Sequence, residues 1–259
     1  MVEENSTLLR LANIIAYALT VVVNSLAGGT TIIGGKLTAE ISDANPTLIT
    51  PAGYVFSIWS IIYILLGAFV VFQAIPSQKE KSYQKRIGWL FVLSSLLNIA
   101  WLFLWQFEYL SLSVVLMFLL LATLIAIYLR LNIGKSAISL LEKLVVHLPF
   151  SVYLGWITIA SIANVTVTLV SVQWDGFGIS QETWASLIII IALLITLLVV
   201  ATRKDLAYGL VVVWALLGIA VKQSGNQNIV TTTEISAVVI VIALVWSILI
   251  SRLREREPR

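Results

Sequence analysis

Cysteine is absent from this 259-residue chain, which excludes disulfides, thiolate-bound metals and covalent haem attachment. Charge is scarce: 11% of residues are Asp, Glu, Lys or Arg, against about a quarter in a soluble domain. One histidine, His147, cannot supply a pair of axial haem ligands; at the cytoplasmic edge of an apolar run it reads as a solvated interfacial side chain. No Ser-His-Asp set, metal-ligand cluster or phosphate loop is legible. None of the 13 acidic residues falls near the middle of an apolar run, and neither does any Lys or Arg. Proton relays and ion-coupled carriers mark themselves with such residues, so that class is excluded as well.

Apolar residues fill the space left by charge, at 59% of the chain with a mean hydropathy of +1.00. Runs of roughly 20 residues, enough to span ~30 Å of hydrocarbon, recur at about 11–29, 51–75, 87–107, 110–131, 144–170, 183–202, 206–221 and 229–251. In lipid, backbone groups must pair within the segment, so the reading is an all-α polytopic membrane bundle of about eight transmembrane helices. Of the 16 Lys and Arg residues, all but Lys36 and Lys222 fall at the ends or in every second loop. Positive loops stay cytoplasmic, which predicts both termini inside. The net charge of +3 thus reports topology and implies no nucleic-acid partner. The start, Met1-Val2-Glu3-Glu4-Asn5, lacks a basic leader region, so the first helix is expected to be a retained anchor in a bacterial plasma membrane.

The run Pro51-Ala52-Gly53-Tyr54-Val55-Phe56-Ser57-Ile58-Trp59 continues to Tyr63 and predicts a helix with Pro51 in its first turn. Phe56, Trp59 and Tyr63, at i, i+3 and i+7, then share one face. Asn98, Trp101 and Trp105 share a face of the third run; Tyr153, Trp156, Ala160 and Asn164 follow Pro149 along the fifth. In that order the three motifs resemble the tryptophan-rich sensory protein family, the TspO and peripheral-type benzodiazepine receptor relatives. The resemblance covers residues 8–172, with Tyr54 where the family often has its first Trp. It implies a five-helix ligand-binding bundle over residues 1–173, to which residues 174–259 add three helices and a basic cytoplasmic tail. Those helices are expected to take up the side through which five-helix relatives dimerise and to leave the pocket intact.

The resemblance further implies an apolar ligand, a tetrapyrrole such as porphyrin first, bound for sensing, sequestration or transport, with no cofactor required. The site residues it implies are Phe56, Trp59, Tyr63, Asn98, Trp101, Tyr153, Trp156, Ala160 and Asn164. Besides the lipid bilayer and the hydrophobic small molecule, the implied partner is a second copy in a homodimer. A light-dependent porphyrin-degrading enzyme is the alternative, with the tryptophans as electron donors and no acid–base group in support. An accessory membrane subunit without a small ligand is the third reading. The sterol-associated pattern of some relatives is missing after the fifth helix; a match at Leu124, Tyr128 and Arg130 is of a kind frequent by chance.

Other polar residues read as structure. Asn13, Tyr17, Thr20 and Asn24 form a polar line on the first helix, which should face protein or a cavity. Trp89, Trp174 and Trp184 sit at helix ends as interfacial anchors. The loop of about residues 30–50, with Gly28-Gly29 and Gly34-Gly35 at its start, is read as flexible and water-facing, and the family resemblance implies that it lids the ligand site.

Overall fold

The structure is a computed structural model describing residues 2–256, with side chains described at 7–250 and at Leu253. Met1, residues 257–259 and the side chains of Arg252, Arg254 and Arg256, and with them most of the expected basic tail, lie outside the described residues. In chain order the helices are α1 (Val2–Gly29), α2 (Thr38–Ala44), α3 (Ile58–Ala74), α4 (Ser82–Ile87), α5 (Leu90–Gln106), α6 (Leu110–Leu131), α7 (Leu140–Glu142), α8 (Leu148–Ser171), α9 (Gln181–Arg203), α10 (Leu206–Lys222) and α11 (Gln227–Arg256). No strand occurs among the described residues.

All eight anticipated spans are present as helices. Six of these segments are long and apolar enough to cross a membrane; α5 and α10 are apolar but only 17 residues long. Apolar side chains such as Leu19, Ile64, Phe118, Leu194 and Ile242 stand exposed, as side chains that face lipid do. This is a multi-pass helical membrane protein.

Helices α1, α3, α5, α6 and α8 close into a ring: α1 packs on α3 and α5, α5 on α6, α6 on α8, and α8 on α3. The remaining three, α9 to α11, pack on one another, and α10 lies against α8. The approach of α10 depends on Gly155, where a Cβ would already stand 3.1 Å from the Tyr208 carbonyl oxygen. Below that crossing, Asp205 is buried and bonds to both neighbouring helices. Its Oδ2 accepts from the hydroxyls of Tyr128 on α6 (2.8 Å) and Ser151 on α8 (2.7 Å). Its Oδ1 accepts from Tyr208 N–H (3.2 Å), capping α10.

Two expectations fail locally. His147 is not solvated: it is 5% exposed. Residues Lys143–His147 form a π-helical turn in which the Leu148 N–H reaches back to Lys143 O, just before Pro149 with its missing donor. That turn packs against α3, and the histidine is buried within the bundle. Pro51, in turn, lies ahead of its helix. A 3-10 turn, Gly53–Ser57, precedes α3, and just ahead of it the Ala52 N–H donates to Gly218 O of α10 (3.0 Å).

Candidate functional site

Trp59 is the hub of an aromatic cluster at the end of the ring where α1 leads into α2. Its indole stacks near Tyr63 (5.7 Å between centroids, 16° between planes) and Trp101 (6.2 Å, 27°). It meets Tyr153 and Trp156 edge-on, each at 6.1 Å. Phe56 closes the group against Trp156 at 5.8 Å. Such pairs favour stacked or edge-to-face geometry and add about 1 kcal/mol each beyond their buried area.

Two adjoining cavities border this cluster. The larger, about 470 Å³, lies between α1, α3 and α5 beneath α2. Phe56, Trp59, Tyr63 and Trp101 make its aromatic side, while Asn24 and Ser60 give it a polar one. The smaller, about 40 Å³, runs toward α8 and is bordered by Trp156, Ala160 and Asn164. Phe56, Trp59 and Trp101 border both. An apolar cavity with a few polar groups is the usual build of a small-molecule site.

The nine residues singled out from sequence thus divide into four sets. Three touch both cavities, Tyr63 touches the larger, and Trp156, Ala160 and Asn164 touch the smaller. Asn98 and Tyr153 border neither. Asn98 accepts from Asn24 Nδ2 (2.7 Å) and so fixes a cavity residue of α1, while Tyr153 backs Trp59. Asn164 joins three helices: its Oδ1 accepts from Trp101 Nε1 (2.9 Å) and its Nδ2 donates to Ser113 Oγ (2.9 Å). The Trp156 indole N–H is buried with no partner among the described residues.

The polar line on α1 turns inward as anticipated. Asn13 Nδ2 donates to Gln73 Oε1 (2.8 Å), Tyr17 Oη to Tyr63 O (2.9 Å) and Asn24 to Asn98. Of these only Asn24 reaches a cavity, and its spacing with the others was its only signal. Gly28 and Gly29, read as flexible, are the last residues of α1 and border the larger cavity, where side chains would intrude. Thr38 and Ala39 of α2 were not anticipated either. Tyr128 of the sterol-like pattern gives its hydroxyl to Asp205, so it is occupied internally.

The loop over the cavities is pinned from α5. Trp105 Nε1 donates to Thr38 O (3.1 Å), and Gln106 Nε2 lies within reach of the carbonyls of Ala27 (3.2 Å), Ile33 (3.2 Å) and Lys36 (3.0 Å). Gly34 has φ +73°, and a Cβ there would collide with the Gln106 carbonyl. Lys36 pairs with Glu108 (2.5 Å) at the rim. The lid is therefore a structured cover and not a loose loop.

The sequence model of the family described as TSPO-like protein matches residues 10–246. The chain belongs to the TSPO-like protein family. The matched stretch runs past residue 172, where the motif resemblance stops, and takes in α9, α10 and most of α11. No curated protein and no solved structure matches the chain. In this TSPO-like protein the candidate site is an aromatic cluster, and none of the described residues lining its two cavities is Asp, Glu, His, Lys or Arg. Among the described residues, no group of three His, Cys, Asp or Glu side chains is placed to hold a metal.

Proposed function

We propose that this protein binds a flat hydrophobic ligand, a tetrapyrrole such as protoporphyrin first, and holds it for sensing, sequestration or movement. One observation carries the reading: a cavity of about 470 Å³ has an aromatic side centred on Trp59 and lies under a structured lid within a membrane bundle. Trp59 and Trp156 stand at 83° to one another, so they form a corner. A planar ligand lying along the Trp59 side of the larger cavity would meet Trp156 only where it reaches on into the smaller one. Aromatic contact supplies area and orientation, and Asn24 and Ser60 supply hydrogen bonds for polar substituents.

The test is a titration of the purified protein with protoporphyrin IX, followed by tryptophan fluorescence. Quenching should saturate, and Trp59→Phe should weaken binding about fivefold, the equivalent of ~1 kcal/mol of aromatic pairing. Quenching that never saturates, or that is identical in Trp59→Phe, would defeat the reading.

The alternation of basic loops supports a plasma-membrane protein with both termini cytoplasmic and the lid outside. Reporter fusions after Glu80 and Ser139 should then report the inside, and fusions after Ala44 and Gly178 the outside.

A further inference from the structure

Helix α10 borders neither cavity of the aromatic cluster, yet it grips the chain that covers them. At its lid-side end, Lys222 Nζ pairs with Asp43 of α2 (2.6 Å) and Gln223 Nε2 donates to Thr47 O (3.1 Å). One turn earlier, Gly218 O accepts from Ala52 N–H (3.0 Å). A further turn down, Trp214 Nε1 donates to Val55 O (3.3 Å), and its ring meets Tyr54 edge-on at 5.3 Å. The contact at Gly218 is so close that a Cβ would collide with the Val55 side chain.

These contacts cover residues 43–55, the stretch between α2 and the start of α3. Its immediate neighbours Ser42 and Phe56, and Pro51 within it, line the smaller cavity, and Phe56 also lines the larger. Three of the contacts take main-chain groups (Thr47 O, Ala52 N–H and Val55 O), so they hold the path of the chain whatever its side chains. The other end of α10 is fixed independently, by Asp205 bonded to α6 and α8. A helix anchored in the packed ring at one end and bonded to the cover at the other is placed to act as a brace.

We propose that α10 positions the lid and the 3-10 turn before α3, and so sets how often the cavity opens. Lys222, Gln223, Gly218 and Trp214 are positioning residues in this scheme, acting on Phe56 and Pro51 through the main chain. The effect on ligand release rests on the ligand-binding reading above; the effect on lid opening does not. The last three helices are then more than a membrane-facing addition, because α9 and α11 support the brace from its far side.

The test uses the full chain in lipid nanodiscs, with hydrogen exchange read on peptides spanning 38–57 and on α6 and α8. In Lys222→Ala/Gln223→Ala, and separately in Trp214→Phe, amides of 38–57 should exchange faster while α6 and α8 stay protected. The double variant should show about a tenfold gain, from the loss of one hydrogen bond to the main chain and one exposed ion pair. Lys222→Asp should behave likewise, and adding Asp43→Lys should restore protection, a rescue that general loosening would not give. Release of bound protoporphyrin IX should quicken in the same variants. Unchanged exchange at 38–57, or a gain shared equally by α6 and α8, would overturn the brace. If the unaltered protein binds no protoporphyrin, the ligand reading falls alone, and the exchange measurement still decides the brace.

Discussion

On one side of α8, Trp156, Ala160 and Asn164 border open space; on another, Ser151, Gly155 and Thr158 meet the Asp205–α10 segment directly. The two sides use similar residue types for opposite ends. Gly155 lets a neighbouring backbone come close, whereas Ala160 leaves a gap that nothing from the chain fills. The polar groups differ in the same sense. Asp205 accepts three hydrogen bonds in the α10 seam, while the Trp156 N–H near the cavity has no partner. A small residue therefore signals close approach or empty volume according to what the facing helix brings to it. Complete polar pairing marks the side that serves stability.

The largest effect should come from breaking the seam. Asp205→Ala removes the acceptor of two buried hydroxyls and the cap of α10, and should cost about 3 kcal/mol, read as a drop in the thermal unfolding midpoint in detergent. Gly155→Val should follow, at about 2 kcal/mol, because the branched side chain must push α10 away from α8. On the cavity side the penalties shrink. Trp101→Phe loses one bond to Asn164, whose Oδ1 still accepts from Ser113 (3.3 Å), and should cost about 1 kcal/mol. Ala160→Val should leave stability within about 0.5 kcal/mol, since it grows into space, while weakening protoporphyrin binding in the fluorescence titration. A large loss of stability in Ala160→Val would mean that the gap is part of the packing, and the contrast between the two sides would collapse.

Most of the architecture was legible because lipid leaves a chain few options. Apolar runs between basic loops foretold the eight helices, and i, i+3, i+7 spacing brought Phe56, Trp59 and Tyr63 to one cavity despite the 3-10 turn. What stayed hidden depended on contacts between distant segments. Nothing in the spacing around Ala52 says that its N–H goes to Gly218, or that a 3-10 turn precedes α3. His147 looked exposed because a π-helical turn packed into the bundle carries no hydropathy signal. Asp205 carries no motif in the sequence, and only the folded chain brings Tyr128 and Ser151 to it. The cavity itself is an absence of packing, and sequence records what is present.

The shortness of α5 and α10 bears on where the cavity lies relative to the lipid. At 17 residues each, they rise only ~25 Å, several ångströms less than a typical ~30 Å hydrocarbon layer. These are also the two helices whose ends hold the lid, through Trp105 and Gln106 on one and Lys222 and Gln223 on the other. The cover is thus tied to two short spans; α3 is also 17 residues, but its 3-10 turn extends it to Gly53. A thinner membrane relieves that mismatch, and a thicker one draws the anchor points below the level of the headgroups. Bilayer thickness then becomes a variable acting on the cover itself, and lipids of different chain length should shift lid exchange before any side chain is altered.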